Sequence, residues 1–129
     1  MYRTLPEEIE SVGKEIVDIA YNIHKQLGPG LLESIYKKCF CHELGKRALF
    51  FERQKRVSIL FDGIEFEEGL RLDILVEQEI VVELKAHENA HAVWEAQLLS
   101  YLKLSNKKLG FLINFHVPLI RNGIKRIIL

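Results

Sequence analysis

Ile9, Val12, Ile16, Ile19, Ala20, Ile23 and Leu27 recur at three- and four-residue steps, which places them on one face of an amphipathic helix. Pro6 suits the first turn of that helix, and Gly28-Pro29-Gly30 stops it. A second helix is predicted over residues 31–46, with Leu32, Ile35, Cys39 and Leu44 on its buried face. The period then changes to two. Val57, Ile59 and Phe61 alternate, Asp62-Gly63 makes a hairpin turn, and Ile64 and Phe66 alternate back. A strand follows Gly69 and ends near Val76, and Glu77-Gln78-Glu79 turns the chain again. Residues 80–86 then form a short, nearly all-apolar strand, of the kind that lies centrally with both faces covered. Residues 91–104 read as a helix, 109–115 as another buried strand and 124–129 as a last edge strand. The order ααβββαββ assigns the chain to the α/β or α+β class with a mixed sheet. Without a repeat, low-complexity tract or interdomain linker, residues 1–129 read as one domain.

Composition narrows the class. Apolar residues make up 48% and charged residues 28% of the chain, as in ordinary soluble globular proteins with a real core. No run approaches the roughly 20 apolar residues of a membrane span. The stretch MYRTLPEEIE lacks the basic and then apolar plan of a signal peptide. Cys39 and Cys41 are two apart in a predicted helix and point to different faces, so they read as reduced thiols of a cytoplasmic protein. Zero net charge argues against a general polyanion binder. The charge is uneven, however. Nine acids and two bases, Arg71 and Lys85, lie between Asp62 and Glu88. Beyond Glu95 come six bases, Lys103, Lys107, Lys108, Arg121, Lys125 and Arg126, and no acid. A further basic group comprises Lys46, Arg47, Arg53, Lys55 and Arg56. An acidic centre with basic flanks suits a cation bound beside a phosphate backbone. Solvated lysines on strand edges would produce the same pattern.

One stretch breaks the apolar pattern from within. LRLDILVEQEIVVELKA, residues 70–86, is rich in β-branched residues yet carries Asp73, Glu83 and Lys85. The short turn makes its two strands antiparallel neighbours. Glu83 and Lys85 are two apart and share a face, and pairing around the turn brings Asp73 roughly opposite Glu83. Two readings follow. A structural ion pair would account for Lys85 and one carboxylate, although desolvation makes such buried pairs poor stabilisers. It leaves a surplus negative charge, and a divalent cation would match that surplus. The two carboxylates and a backbone carbonyl, that of Leu84, would form a partial shell for Mg²⁺. Lys85 would then orient a water or take its proton.

The ordered segments add a resemblance. Asp73 followed by Glu83-x-Lys85 on adjacent strands resembles the signature of the PD-(D/E)xK nuclease superfamily. Gly30-Leu-Leu-Glu33-Ser-Ile-Tyr36 reads G-x-x-E-x-x-Y, and with LGPGLLES, EGLRLDILV, VVELKA, EAQLLSYLK and GIKRI the chain resembles the GxxExxY family of that superfamily from about residue 8 onward. The resemblance implies a restriction-endonuclease-like core, a mixed central sheet flanked by helices. It implies Asp73 as the metal-binding aspartate, Glu83 and Lys85 as the E-x-K pair, and Glu33 as the helix carboxylate that many members add to the metal site. Gln97-Leu-Leu-Ser-Tyr101 resembles the Q-x-x-x-Y motif of exonucleases related to lambda exonuclease. The proline that names the superfamily is replaced by Leu72.

Each residue also has a plainer reading. Glu33 near a helix start is favoured by the macrodipole. Tyr101 suits a half-buried core position and Gln97, four residues earlier on the same face, a surface one. Trp94 reads as a core anchor, with base stacking as the lesser alternative. His87 and His91 read as loop residues, because Mg²⁺ prefers oxygen, and Glu88 and Glu95 read as helix-surface acids. Asn114 interrupts an apolar strand, so its amide needs a partner.

The function these readings converge on is a Mg²⁺-dependent deoxyribonuclease, with Mn²⁺ able to substitute and no organic cofactor. Glu33, Asp73, Glu83 and the Leu84 carbonyl would hold the metal. Lys85, Gln97 and Tyr101 would complete the catalytic set, and DNA would be the partner, with a homodimer or partner protein as a further possibility. The alternative is a catalytically inactive nuclease-fold module that binds nucleic acid or a protein. RNA or nucleotide hydrolysis is a third option.

Overall fold

The computed structural model describes residues 5–129; Met1 to Thr4, part of the N-terminal stretch read above, lie outside the described residues. Helices α1 (Glu7–Leu27) and α2 (Glu33–Lys46) precede β1 (Phe51–Phe61), β2 (Ile64–Val76) and β3 (Ile80–Lys85). Helix α3 (Ala92–Ser105), β4 (Leu109–Asn114), a 3-10 turn (Ile120–Asn122) and β5 (Ile124–Ile128) complete the order ααβββαββ. The five strands form one sheet in the order β1-β2-β3-β4-β5. β3 and β4 pair in parallel and every other neighbouring pair is antiparallel. Parallel neighbours cannot be joined by a tight turn, and α3 is the crossover that joins them. The protein is therefore α+β with a mixed sheet and β3 at its centre. No helix among the described residues is long and apolar enough to cross a membrane.

The helices divide the apolar residues into two cores. Ile16, Ile19, Ala20 and Ile23 of α1 and Tyr36, Phe40 and Leu44 of α2 pack on Ile80, Val82 and Leu84 of β3 and on Phe111 and Ile113 of β4. On the opposite face Leu98 and Leu102 of α3 pack on Val81, Leu72, Leu75 and Leu112. Alternation along β3 thus sends its even positions to the helix pair and its odd positions, Glu83 and Lys85 among them, to the α3 side.

Helix α2 is rotated from its predicted face. Leu32 is 72% exposed and Ile35 is also exposed, while Tyr36, Phe40, Cys41, Glu43 and Leu44 are buried. The loop explains the change. Gly28 and Gly30 adopt positive φ, which leaves Leu31 and Leu32 in the connection and starts the helix at Glu33. The Tyr36 ring stacks on Phe115 with centroids 4.4 Å apart. Its hydroxyl accepts a bond from the Leu31 amide at 3.2 Å and donates one to the Gly28 carbonyl at 2.6 Å. A fully buried tyrosine with a satisfied hydroxyl outweighs the two smaller aliphatic groups in setting the helix face.

The hairpin also differs from expectation. Its turn is as predicted, with Asp62 and Gly63 both at positive φ. Its alternating apolar residues are covered only at the base: Val57 and Ile59 are half-buried, while Phe61, Ile64 and Phe66 are exposed, as is Leu60. β3 pairs with β2 only at Ile74, Leu75 and Val76, so the outer part of β1 and β2 projects as a two-stranded arm. The register shifts between Val57 and Ile59. There a Cβ on Gly69 would lie 2.3 Å from the Val57 carbonyl oxygen, so the position accepts only glycine.

Candidate active site

The site grows from a missing rung in the sheet. β2 and β3 pair at Val76↔Ile80, Leu75↔Val81 and Ile74↔Val82. The next rung would set Asp73 opposite Glu83, and there the strands exchange side-chain bonds instead. The Asp73 amide donates to Glu83 Oε2 at 2.8 Å, and the Leu84 amide donates to Asp73 Oδ2 at 3.1 Å. On the other side of β2 the ladder to β1 also skips this position, passing from Arg53↔Ile74 to Lys55↔Leu72. The skipped residue of β1, Gln54, has φ of 51°. The kink is visible in packing: Leu72 and Leu75 both join the α3-side core, although residues three apart on a regular strand face opposite ways. Parting strands would strand buried backbone amides, and the two carboxylates satisfy them.

This arrangement is electrostatically costly. Glu83 is 6% exposed. Burial first, and the neighbouring Asp73 second, push its carboxyl up to about 8, against the Asp73 amide bond and the charges of Lys85 and Lys37. Lys37 is the group that reading the sequence missed. Its Nζ lies 3.0 Å from Glu33 Oε2 and 3.1 Å from Asp73 Oδ1. Burial pulls its pKa down, but bonds and charges from Glu33 and Asp73 outweigh this and leave it raised. The only signal in the sequence was its i,i+4 spacing from Glu33.

The structure brings Asp73 and Glu83 into contact, and Glu33 reaches Asp73 through Lys37. Leu84 meets Asp73 with its amide. Lys85 is partly buried at the end of β3, with its ammonium 5.5 Å from the centroid of Trp94. His87 and His91 make edge contacts with Trp94 and with each other. Trp94 is therefore a half-buried platform beside Lys85 at the border of the α3-side core. Tyr101 is partly buried, and its phenol is raised first by burial and then by the charges of Glu83 and Asp73. Gln97 is exposed one turn away on α3.

Asn114 has the partner that the sequence left unnamed. Its Oδ1 accepts from the amides of His87 at 3.1 Å and His116 at 3.2 Å, and its Nδ2 donates to the His87 carbonyl at 2.9 Å. Its side chain thus continues the β3–β4 ladder beyond Lys85 and fixes the path of the chain after the E-x-K segment. The amide of Phe115 bonds the Lys85 carbonyl at 2.9 Å. Through Phe115 and Tyr36 the same strand end is tied to the loop that presents Glu33.

The expected basic contact surface is partly neutralised within the chain. Arg47 pairs with Glu15, Asp18 and Glu43, Lys46 with Glu43, Lys55 with Glu52, Lys125 with Glu95 and Arg126 with Glu10. Arg53, Arg56, Lys103, Lys108 and Arg121 are exposed.

A family model described as the PD-(D/E)XK nuclease superfamily matches residues 10–127. The chain belongs to the PD-(D/E)XK nuclease superfamily. No curated protein and no solved structure matches it. The mixed five-stranded sheet with three helices is accordingly the restriction-endonuclease-like core of that superfamily, and an enzyme of the hydrolase kind is supported. PD-(D/E)XK nucleases typically use divalent metals, and the donors here fit such an ion. Asp73 and Glu83 offer hard carboxylate oxygens, and a divalent cation beside them would favour the ionised form that burial opposes at Glu83. Among the described residues, no three His, Cys, Asp or Glu side chains gather as a closed metal cluster; Lys37 stands between Glu33 and Asp73.

Proposed function

We propose that this PD-(D/E)XK protein is a metal-dependent nuclease of the GxxExxY kind that hydrolyses DNA phosphodiester bonds with Mg²⁺, or with Mn²⁺ in its place. One observation carries the reading. Two carboxylates meet in a rung that has given up its backbone pairing, with a lysine two residues further on the same strand face. An ion pair serving stability alone would not need a second buried carboxylate, and removing one partner of such a group costs more than an apolar replacement of the whole.

Asp73 and Glu83 hold the cation, with Glu33 and the Leu84 carbonyl as further oxygen donors. The cation, when bound, polarises the scissile phosphate and lowers the pKa of water. Lys85 orients the attacking water or accepts its proton, and the Trp94 face fixes where its ammonium points. Tyr101, uncharged beside the acid pair, donates its hydroxyl toward a phosphate oxygen, and Gln97 supports the substrate from the exposed side of α3. Arg53, Arg56, Lys103, Lys108 and Arg121 contact the DNA backbone. The protein works in the cytoplasm.

Cleavage of linear and circular DNA, single- and double-stranded, tests this with Mg²⁺ or Mn²⁺ and with Lys85→Ala prepared identically. Metal-dependent cleavage that falls by about 10²–10⁴-fold in the variant is the expected result. Equal cleavage by the variant would assign the activity elsewhere. Absence of both cleavage and Mn²⁺ binding would leave a nuclease-fold binding module.

A further inference from the structure

Lys37 stands where a metal ion shared by Glu33 and Asp73 would lie. Its ammonium is within 3.1 Å of an oxygen of each, and its side chain is 18% exposed. Glu33 and Lys37 come from α2, while Asp73 comes from the kink in β2, so the ammonium bridges helix and sheet. Two cations at one pair of carboxylates repel each other strongly at such distances. A divalent ion that draws on Asp73 and Glu33 therefore needs Lys37 to leave. The route exists: the Glu33 side chain is 41% exposed, and a lysine has four rotatable methylenes behind its charge.

We propose that Lys37 is a built-in competitor for the metal: its ammonium joins Glu33 to Asp73 in the metal-free protein and swings out toward solvent when a divalent cation is bound. This rests on the reading of Asp73 as a metal ligand. It explains why Glu33 is tethered to Asp73 without touching it directly. It also explains how the half-buried Asp73 carboxylate is tolerated before a cation arrives, because the lysine supplies its counter-charge. Lys37 thereby sets how tightly the metal is held, and is a positioning residue for Glu33.

The test is Mn²⁺ titration of the full chain, followed by electron paramagnetic resonance of the free ion and by calorimetry. Wild type, Lys37→Met, Lys37→Arg and Asp73→Asn are compared, each verified as folded by circular dichroism. Lys37→Met keeps the apolar stem and deletes the charge. It is expected to bind Mn²⁺ on the order of tenfold more tightly than wild type, and to gain more in melting temperature on adding Mn²⁺. Lys37→Arg keeps the charge and should not tighten binding. Should Lys37→Met fail to fold, Lys37→Gln replaces it in the same comparison. Equal or weaker Mn²⁺ binding by the neutral variant overturns the competition while leaving the metal site intact. Binding by Asp73→Asn at wild-type strength overturns the assignment of Asp73, and the competition with it. Absence of Mn²⁺ binding in both wild type and Lys37→Met overturns the metal site and the competitor together.

Discussion

At the hairpin end of β2, Ile64 and Phe66 are exposed, and across the turn Phe61 is 69% exposed. Towards its other end, the same strand places Asp73 against a Glu83 that is almost completely covered. The usual sorting of side chains is inverted at both places. The difference comes from the flanks. The arm has no third strand, whereas the Asp73 segment has β1 on one side, β3 on the other and helices on both faces. Burial along a strand is thus decided by what the neighbouring elements cover, and apolar sequence alone does not secure it. The two regions differ in energy accordingly. The arm gives up little by being wet, while the rung places carboxylates where desolvation is expensive. Such a cost at a local site is characteristic of function rather than of stability.

Changes at the rung should therefore be large and changes on the arm small. The steepest expected effect is pH-dependent. Because the Glu83 carboxyl is raised to about 8 in the fold, the folded state keeps a proton that the unfolded chain releases. The contribution of Glu83 favours folding most below its ordinary pKa of about 4.5. It declines as pH rises towards 8 and then levels off, a total fall on the order of 5 kcal/mol. Urea unfolding of the metal-free protein across this range measures it, and Glu83→Gln should flatten the slope. A slope unchanged in that variant would refute the burial of an ionisable Glu83.

Next is the packing beneath the rung. Leu84 is fully buried between the helix pair and the sheet, and Leu84→Ala should cost about 3 kcal/mol in chemical denaturation. Smaller is the clamp that continues β4. Asn114→Ala removes one acceptor shared by two amides and one donor, for a loss of about 1–2 kcal/mol. Hydrogen exchange should quicken at the His87 and His116 amides. The smallest effect belongs to the arm: Phe61→Ser should change stability by less than about 0.5 kcal/mol. A loss comparable to that of Leu84→Ala would show that the arm is covered in solution and would dissolve the contrast.

Much of the site was legible because it depends on short-range geometry. A three-residue turn between two strands sets Asp73 near Glu83, and the i,i+2 rule puts Lys85 on the same face as Glu83. Neither requirement involves a distant part of the chain. Lys37 was not legible in the same way. It meets Asp73 across 36 positions, and its spacing from Glu33 resembles any solvent-exposed helical ion pair. Asn114 was recognisable as an amide in need of partners, but the one that it meets twice, the His87 backbone, sits on a loop 27 residues away.

By itself the sequence determined the element order, both hairpin turns, the central place of β3 and the meeting of Asp73 with Glu83. Each is written in local periodicity, in turn residues that accept positive φ, or in the length of one loop. Only the tertiary structure decided the rotation of α2 about Tyr36, the ammonium bridging Glu33 and Asp73, the kink that turns Leu72 towards α3, and the exposure of the arm. Periodicity reports which residues share a face. Which face turns inward, and which charges meet there, depends on the volume and polarity that other elements bring to it.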